Sequence, residues 1–393
     1  MIPVEEALAK VLDLVRALPS ERVALRAGAG RVLAAPAVAG LTQPPFDASA
    51  MDGYWLAAAD HRPGAVLRVD GEAAAGRGYT GPLAPGQAVR IFTGAPTPAP
   101  AGVVVLQEDV TRAGETITLP ASLSANPNIR PRGQDFTEGM AFFPRRALTP
   151  RDLGLLAAMN VAELEVHRRP VVAIIATGDE LVMPGEAPGP DQILCSNNFT
   201  LAAAAEAAGA EVRMLPIARD NEASLRMIFG LAEGVDLIVT SGGASVGAHD
   251  LVGAVAADLG LERAFWKIAM RPGKPLMAGR MGGAVLLGMP GNPVAALVCA
   301  KLFLEPMLAA MQGLAPARTP LRARLGAATG PTGPRSHYMR ARLEPGPDLP
   351  MITPFESQDS AQMMLLAEAN ALLIRPLGDG PRGAGEIVEY LPL

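Results

Sequence analysis

The sequence predicts a multidomain α/β protein. It places a three-layer α/β/α domain around a mostly parallel sheet, with small β-rich domains and an extended N-terminal helical region. Three observations predict this. Between residues 170 and 312, short β-branched runs alternate with helical patterns, as in a parallel sheet covered on both faces. On either side of that stretch, strand-like pieces are separated by Gly and Pro clusters. The chain has 393 residues, more than the ~250–300 that one core usually organises.

At the N-terminus, Val4, Leu8, Val11, Val15 and Leu18 share one helical face, while Glu5 and Glu6 stand where a signal peptide needs basic residues. PPFDASAMDGY (44–54) reads as a turn-rich loop. AVLRVD, AVRIF, VVVLQED and TITL follow as strands of a small β-rich domain. TPRDLGLLAAMN (149–160) predicts a capped helix, with Thr149 as N-cap, Pro150 first and Asp152 third. In the α/β stretch, VVAIIA (171–176), EVRMLP (211–216), VDLIVT (235–240), RAFWKIAM (263–270) and AVLLGM (284–289) are the expected strands. Ser196 and Asn221 open the helices between the first three. Asn292 and Pro293 start a last helix, which Pro306 is expected to kink or end. SHYMRARLE, AEANALLIRP and EIVEYLPL predict a C-terminal β-domain. The expected domains are 1–44 with 136–169, 45–135, 170–315 and 316–393.

The net charge is −5 with both signs interspersed, so no basic stripe points to a nucleic-acid partner. The only cysteines, Cys195 and Cys299, have neither disulfide-scaffold nor zinc spacing and read as core residues on helices. The four histidines are scattered. No eighteen apolar residues run together, so a soluble, cytoplasmic protein with no membrane partner is expected.

Chemistry concentrates where strands hand over to helices, the ligand edge of such sheets. TSGGASVGAHD (240–250) offers glycine-turn N–H groups to an anion, yet closes on the carboxylate of Asp250. A cation between the two resolves that conflict. TGDEL (177–181) reads equally as a strand-terminating turn and as a source of acidic ligands, through Asp179 and Glu180. Asp179, Glu180 and Asp250 together offer the hard oxygens that Mg²⁺ takes alongside substrate phosphate. MRPGKP (270–275) brings Arg271 and Lys274 on a tight turn, and MPGNP (289–293) presents free N–H groups at a helix start. His249, in the same loop as Asp250, is either incidental or catalytic.

PPFDASAMDGY, RIFTGAPTP, PRGQD, ATGDEL, TSGGASVGAHD, MRPGKP and MPGNPVAAL occur in the order seen in molybdopterin molybdenumtransferases, a family that includes the E domain of gephyrin. The chain resembles that family over essentially its whole length, through HYMRARL and AEANALLIRP in the last domain. The resemblance implies a homodimer of four-domain subunits, with the site between the α/β domain of one subunit and N-terminal parts of its partner. It implies that molybdate displaces AMP from adenylylated molybdopterin with the help of Mg²⁺. An upstream adenylyltransferase and downstream molybdoenzymes would be partners. Carried over by motif, the functional residues are Asp52, Thr93, Asp135, Glu180, Asp236, Asp250 and Lys274. Substrate would contact Gly242, Gly243, Ser245, Arg271, Pro290, Asn292 and Pro293, with Arg340 and Ser360 at the molybdate. Glu180 and Asp250 would hold the metal. Arg271 stands where many relatives have lysine, and the loop before Asp250 lacks a commoner acid. Asp236, at the start of its strand, reads equally as structural. Two rival readings are a molybdopterin adenylyltransferase, which resembles only 170–312, and a non-catalytic scaffold.

Overall fold

The computed structural model describes residues 1–99, 101–242, 251–316 and 319–393. The chain forms two compact units. One joins Met1–Glu21, Gly30–Ala34 and Val166–Leu393; the other comprises Arg22–Ala29 and Ala35–Glu165.

The larger unit is built on a six-stranded sheet: β1 (Val171–Ala176), β2 (Glu211–Met214), β3 (Leu237–Ser241), β4 (Leu261–Trp266), β5 (Met277–Met281) and β6 (Ala284–Met289). Its order is β2-β1-β3-β6-β5-β4. The first four strands are parallel, whereas β5 pairs antiparallel with both β6 and β4. The sheet is therefore mixed, with a parallel half at the end that carries the motifs. Strand β5 is an addition to the sequence reading. Pro275 precedes it and Gly279 interrupts it, which hid a hairpin that turns on Gly282 and Gly283.

Side chains alternate across this sheet into two cores. Val172, Ile174, Leu237, Val239, Val285 and Leu287 pack with Leu201 and Ala205 of helix Asn197–Ala207 and with helix Pro293–Met311. Val4, Ala7 and Val11 of the N-terminal helix Val4–Asp13 join the same cluster. Ala173, Ile175, Ile238 and Leu286 face the other way, onto helices Glu222–Leu231 and Leu251–Asp258. The outcome is the three-layer arrangement. Asn221 caps its helix by accepting from Ser224 N–H at 2.9 Å. Ser196 holds an N-cap position without a side-chain cap bond.

Pro306 neither ends nor breaks the last helix. A π-helical turn at Ala300–Leu304 separates α-helical Pro293–Cys299 from Glu305–Met311, and such a turn accommodates the missing N–H. Pro293–Met311 is long and apolar enough to span a membrane, but 72% of its apolar window is buried inside the protein, which marks it as a core helix. Cys299 lies within it, fully buried, and burial pushes its thiol pKa up. Cys195 precedes its helix rather than lying on it.

The C-terminal strands Ser336–Glu344, Met351–Pro354, Leu321–Leu325, Ile387–Pro392 and Ala371–Arg375 close on themselves, because the first also pairs with the last. Met270–Arg271 adds to this barrel in parallel with Ser336 and His337. The loop after β4 is thus stitched to the C-terminal barrel.

In the smaller unit, a six-stranded sheet runs in the order Gly102–Leu106, Gly53–Ala57, Gln87–Ile91, Val66–Ala73, Thr116–Thr118, Thr111–Ala113. The expected strands are present. Two more are present: Thr111–Ala113, and Gly53–Ala57, which follows directly from the 44–54 loop and buries Trp55 and Leu56 on opposite faces. Helix Pro150–Ala158 starts as predicted: the Asp152 carboxylate accepts from the Thr149 N–H at 2.6 Å and hydroxyl at 2.7 Å.

Candidate active site

Strand β1 sits between β2, which follows it in sequence, and β3, so the chain changes direction across the sheet there. Ligands bind at such switch points, beyond the carboxyl ends of the strands. The TGDEL turn leaves β1 at this place. Arg219, from the loop after β2, clamps it by donating to the carbonyls of Gly178 at 3.3 Å, Asp179 at 3.2 Å and Leu181 at 3.0 Å. Asp179 Oδ1 accepts from Asp220 N–H at 3.1 Å. Asp179 therefore shapes the turn, while exposed Glu180 keeps its carboxylate free of hydrogen bonds among the described residues.

Glycine is required here by close approach. Gly178 has φ +150°, and a Cβ on it would lie 2.3 Å from Glu180 Oε2. Gly242, just past β3 at φ +94°, would place a Cβ 2.6 Å from the Thr177 carbonyl oxygen. The ends of β1 and β3 thus touch through backbone, and Gly291 packs against Gly242 from the third side. Asn197 ties these pieces together, donating to Ser241 Oγ at 2.8 Å and to the Gly291 carbonyl at 2.7 Å. Thr177 Oγ1 is buried with no partner among the described residues.

These turns open onto a cavity of about 810 Å³, all of it within the larger unit. Glu180, Gly242, Arg271, Lys274, Pro290, Asn292 and Ser360 line it, which brings together seven of the residues expected from sequence. Asp220, Arg335, Gln358 and Asp359 also line it and were not expected. A signal for Asp220 existed: its loop follows a parallel strand, and the carboxyl ends of those strands make the ligand edge.

Four of the expected residues have a structural role. Asn292 stands at the N-cap position without capping; its Nδ2 donates to Ser360 Oγ at 3.0 Å instead, joining the helix start to the 357–360 loop. Pro293 is the first helical residue and does not line the cavity. Arg340 is fully buried. It donates to the carbonyls of Gln362 at 2.9 Å, Asp359 at 2.8 Å and Ser357 at 3.2 Å. Arg340 is absent from the cavity lining and shapes the loop that is present there. Asp236 accepts two bonds from Arg168, at 2.7 and 2.6 Å, and one from Val171 N–H at 2.8 Å, so it fastens the starts of β1 and β3 far from the ligand edge.

In the smaller unit, Asp52 Oδ1 accepts from the Thr93 N–H at 2.8 Å and hydroxyl at 2.7 Å. Those two bonds, helped by the Arg90 charge, hold its carboxyl below the usual range. Asp135 is exposed, in a turn where its N–H donates to the Gln43 carbonyl at 3.1 Å. Gly243, Ser245, His249 and Asp250 lie outside the described residues. Among the described residues, no three His, Cys, Asp or Glu side chains gather as a metal site. The donor set is compatible with Mg²⁺ all the same, since that ion takes one or two carboxylates plus substrate phosphate, and Glu180 offers free oxygens to the cavity.

Family models match in succession along the chain: "MoeA N-terminal region (domain I and II)" over 2–160, "Probable molybdopterin binding domain" over 173–310 and "MoeA C-terminal region (domain IV)" over 322–393. A molybdopterin molybdenumtransferase of Haemophilus influenzae is 38% identical over 80% of this chain and 78% of its own. Molybdopterin molybdenumtransferase 2 of Mycobacterium tuberculosis is 36% identical over 96% of both chains. The solved structure of a molybdopterin biosynthesis moeA protein from Pyrococcus horikoshii superposes with a TM-score of 0.83 at 29% identity, covering 100% of this chain and 99% of that one.

Proposed function

From the premise that this chain belongs to the molybdopterin molybdenumtransferase family, we propose that it transfers molybdate to adenylylated molybdopterin and releases AMP. Molybdenum insertion is the activity that its whole-chain relatives are named for. The observation that carries the proposal is convergence: the TGDE turn, the RPGK turn and the PGN helix start, remote in sequence, line one cavity.

Each segment has a distinct task there. The amides around Gly242 and Gly291 suit a phosphate of the pterin nucleotide. Lys274 and Arg271 supply cationic donors to an oxyanion. Glu180, with Asp250, would hold Mg²⁺, which when bound neutralises charge growing on the breaking phosphoanhydride. Arg219 and Gly178 fix where the Glu180 carboxylate stands. Asp52, Thr93 and Asp135 are retained as functional residues of the smaller unit, and the acting species is a homodimer in the cytoplasm.

The test is direct. Purified protein is incubated with adenylylated molybdopterin, Mg²⁺ and molybdate, and AMP release and active cofactor are followed. Release of AMP that needs molybdate supports the proposal; consumption of ATP to make adenylylated pterin would replace it with the adenylyltransferase reading. Light scattering on the same sample checks the dimer.

A further inference from the structure

In the smaller unit, strand Gln87–Ile91 pairs antiparallel with Gly53–Ala57, which sets Arg90 directly across from Tyr54. The guanidinium lies over two rings, 5.0 Å from the centre of Tyr54 and 4.7 Å from that of Phe92. Aromatic faces attract a cation through their quadrupoles. That contact alone would make Arg90 a packing residue, but its nitrogens reach further. Nη1 donates to the Gly53 carbonyl at 3.0 Å, and Nη2 donates to Gln107 Oε1. Gln107 in turn donates its N–H to the Asp52 carbonyl at 3.2 Å. The carbonyls of Asp52 and Gly53 are thus held by Arg90 and by the residue that Arg90 grips.

The turn has no slack, because a Cβ on Gly53 would run into the Val105 carbonyl oxygen. Asp52 is what this frame presents. Its Oδ1 accepts both bonds from Thr93, whereas Oδ2 has no hydrogen bond among the described residues and is free to accept one. Arg90 has no ion-pair partner among the described residues. Its charge adds to the two Thr93 bonds that hold the Asp52 carboxyl below the usual range. A lysine at this position would keep the charge between the rings, but it could not bond Gly53 and Gln107 with a planar fork.

We propose that Arg90 is a positioning residue for Asp52: its ring-flanked fork fixes the Asp52–Gly53 turn, so that Thr93 holds one carboxylate oxygen while the other stays available to the reaction. The inference deepens the proposed function and rests on the part of it that makes Asp52 a functional residue. A residue that only packed two rings would support the sheet and leave the carboxylate alone. One that positions Asp52 changes how that carboxyl titrates and how fast the reaction runs.

The experiment titrates Asp52 by carboxyl-carbon NMR and measures molybdate-dependent AMP release in wild type, Arg90→Gln, Arg90→Lys and Gln107→Ala, with thermal melting of each. Arg90→Gln should move the Asp52 pKa up towards 3.8 and slow AMP release about tenfold or more, since both charge and fork are lost. Arg90→Lys should keep the low pKa and recover only part of the rate. Gln107→Ala, at an exposed residue, frees one prong and should slow release with the melting temperature unchanged, so the test does not depend on Arg90→Gln folding. Once Asp52 is replaced by alanine, adding Arg90→Gln should cost no further rate, because effects through one group do not add. An unmoved Asp52 pKa in Arg90→Gln overturns the inference. So do losses that multiply in the double variant, or a loss of rate that only tracks lost folded protein. If wild type releases no AMP with molybdate, the proposed function falls, and the titration alone decides whether Arg90 governs Asp52.

Discussion

Replacing Gly178 by alanine separates fold from function at the TGDE turn. A Cβ there would lie 2.3 Å from Glu180 Oε2, whereas ordinary contact begins at 3.4 Å, so the carboxylate must retreat by 3.4 − 2.3 = 1.1 Å. The obstructing atom is the tip of an exposed side chain, which swings away at little expense. The remaining penalty is backbone strain at φ +150°, of about 1–2 kcal/mol. That amounts to a few degrees of melting temperature. A displacement of about 1 Å in a group that positions reactants lowers rate by roughly 10²-fold. Gly178→Ala should therefore melt almost normally and release AMP about a hundredfold more slowly. If the effect passes through Glu180, the double variant Gly178→Ala/Glu180→Ala will be no slower than Glu180→Ala alone, since effects through one group do not add. Initial rates at saturating molybdate and pterin read this cycle. Independent, multiplying losses would refute the reasoning, and so would a fully active Gly178→Ala.

Other expectations follow from the same geometry. Arg340→Ala removes a buried guanidinium from three carbonyls, so it should destabilise the larger unit by about 3 kcal/mol or more, read by denaturant midpoint. Ile174→Ala, in the centre of the parallel sheet, should lower stability by about 2–5 kcal/mol in the same assay. His337 carries a folded pKa of about 4 against 6.5 unfolded, so the unfolded chain binds the extra proton; stability is then lost as pH falls from about 6.5 towards 4. The ceiling is about 3 kcal/mol, lessened by solvent screening of a half-buried ring, and His337→Gln should flatten that part of the pH–stability curve. Asp52 has a depressed pKa, so it should remain ionised below pH 3.8, and a carboxyl-carbon titration by NMR should show Thr93→Val moving it back up.

The parallel half of the α/β sheet was legible because each of its strands is a short β-branched run between helical patterns, and helix starts such as Asn221 and Thr149 obey local capping chemistry that needs no tertiary context. Strand β5 and the strand through Trp55 were missed for one reason. Each adjoins glycine or proline turns, and only pairing with neighbours already in place makes them strands. At the site, Glu180, Arg271, Lys274 and Asn292 were legible from position at strand ends. Arg219, Asp220 and Arg335 were not, because nothing local distinguishes a clamping or cavity-lining arginine from a solvated one; the difference lies in what the loop after a neighbouring strand brings alongside.

Arg340 and Arg335 carry this furthest. Both are arginines near the start of one barrel strand, five residues apart. Arg335 stands in the bend just before the strand Ser336–Glu344 and lines the cavity, whereas Arg340, inside the strand, is buried against the 357–362 loop. A buried guanidinium needs acceptors, and the two terminal nitrogens of Arg340 find them in the carbonyls of Ser357, Asp359 and Gln362. That fixes the loop whose Gln358, Asp359 and Ser360 enter the cavity. Arg335 meets no carboxylate and no carbonyl among the described residues. The strand and the residue just before it thus provide both the support of the cavity loop and a cation of the cavity lining. Removing Arg340 should lower the melting temperature and distort the loop, whereas removing half-buried Arg335, which has no ion-pair partner among the described residues, should leave the melting temperature unchanged.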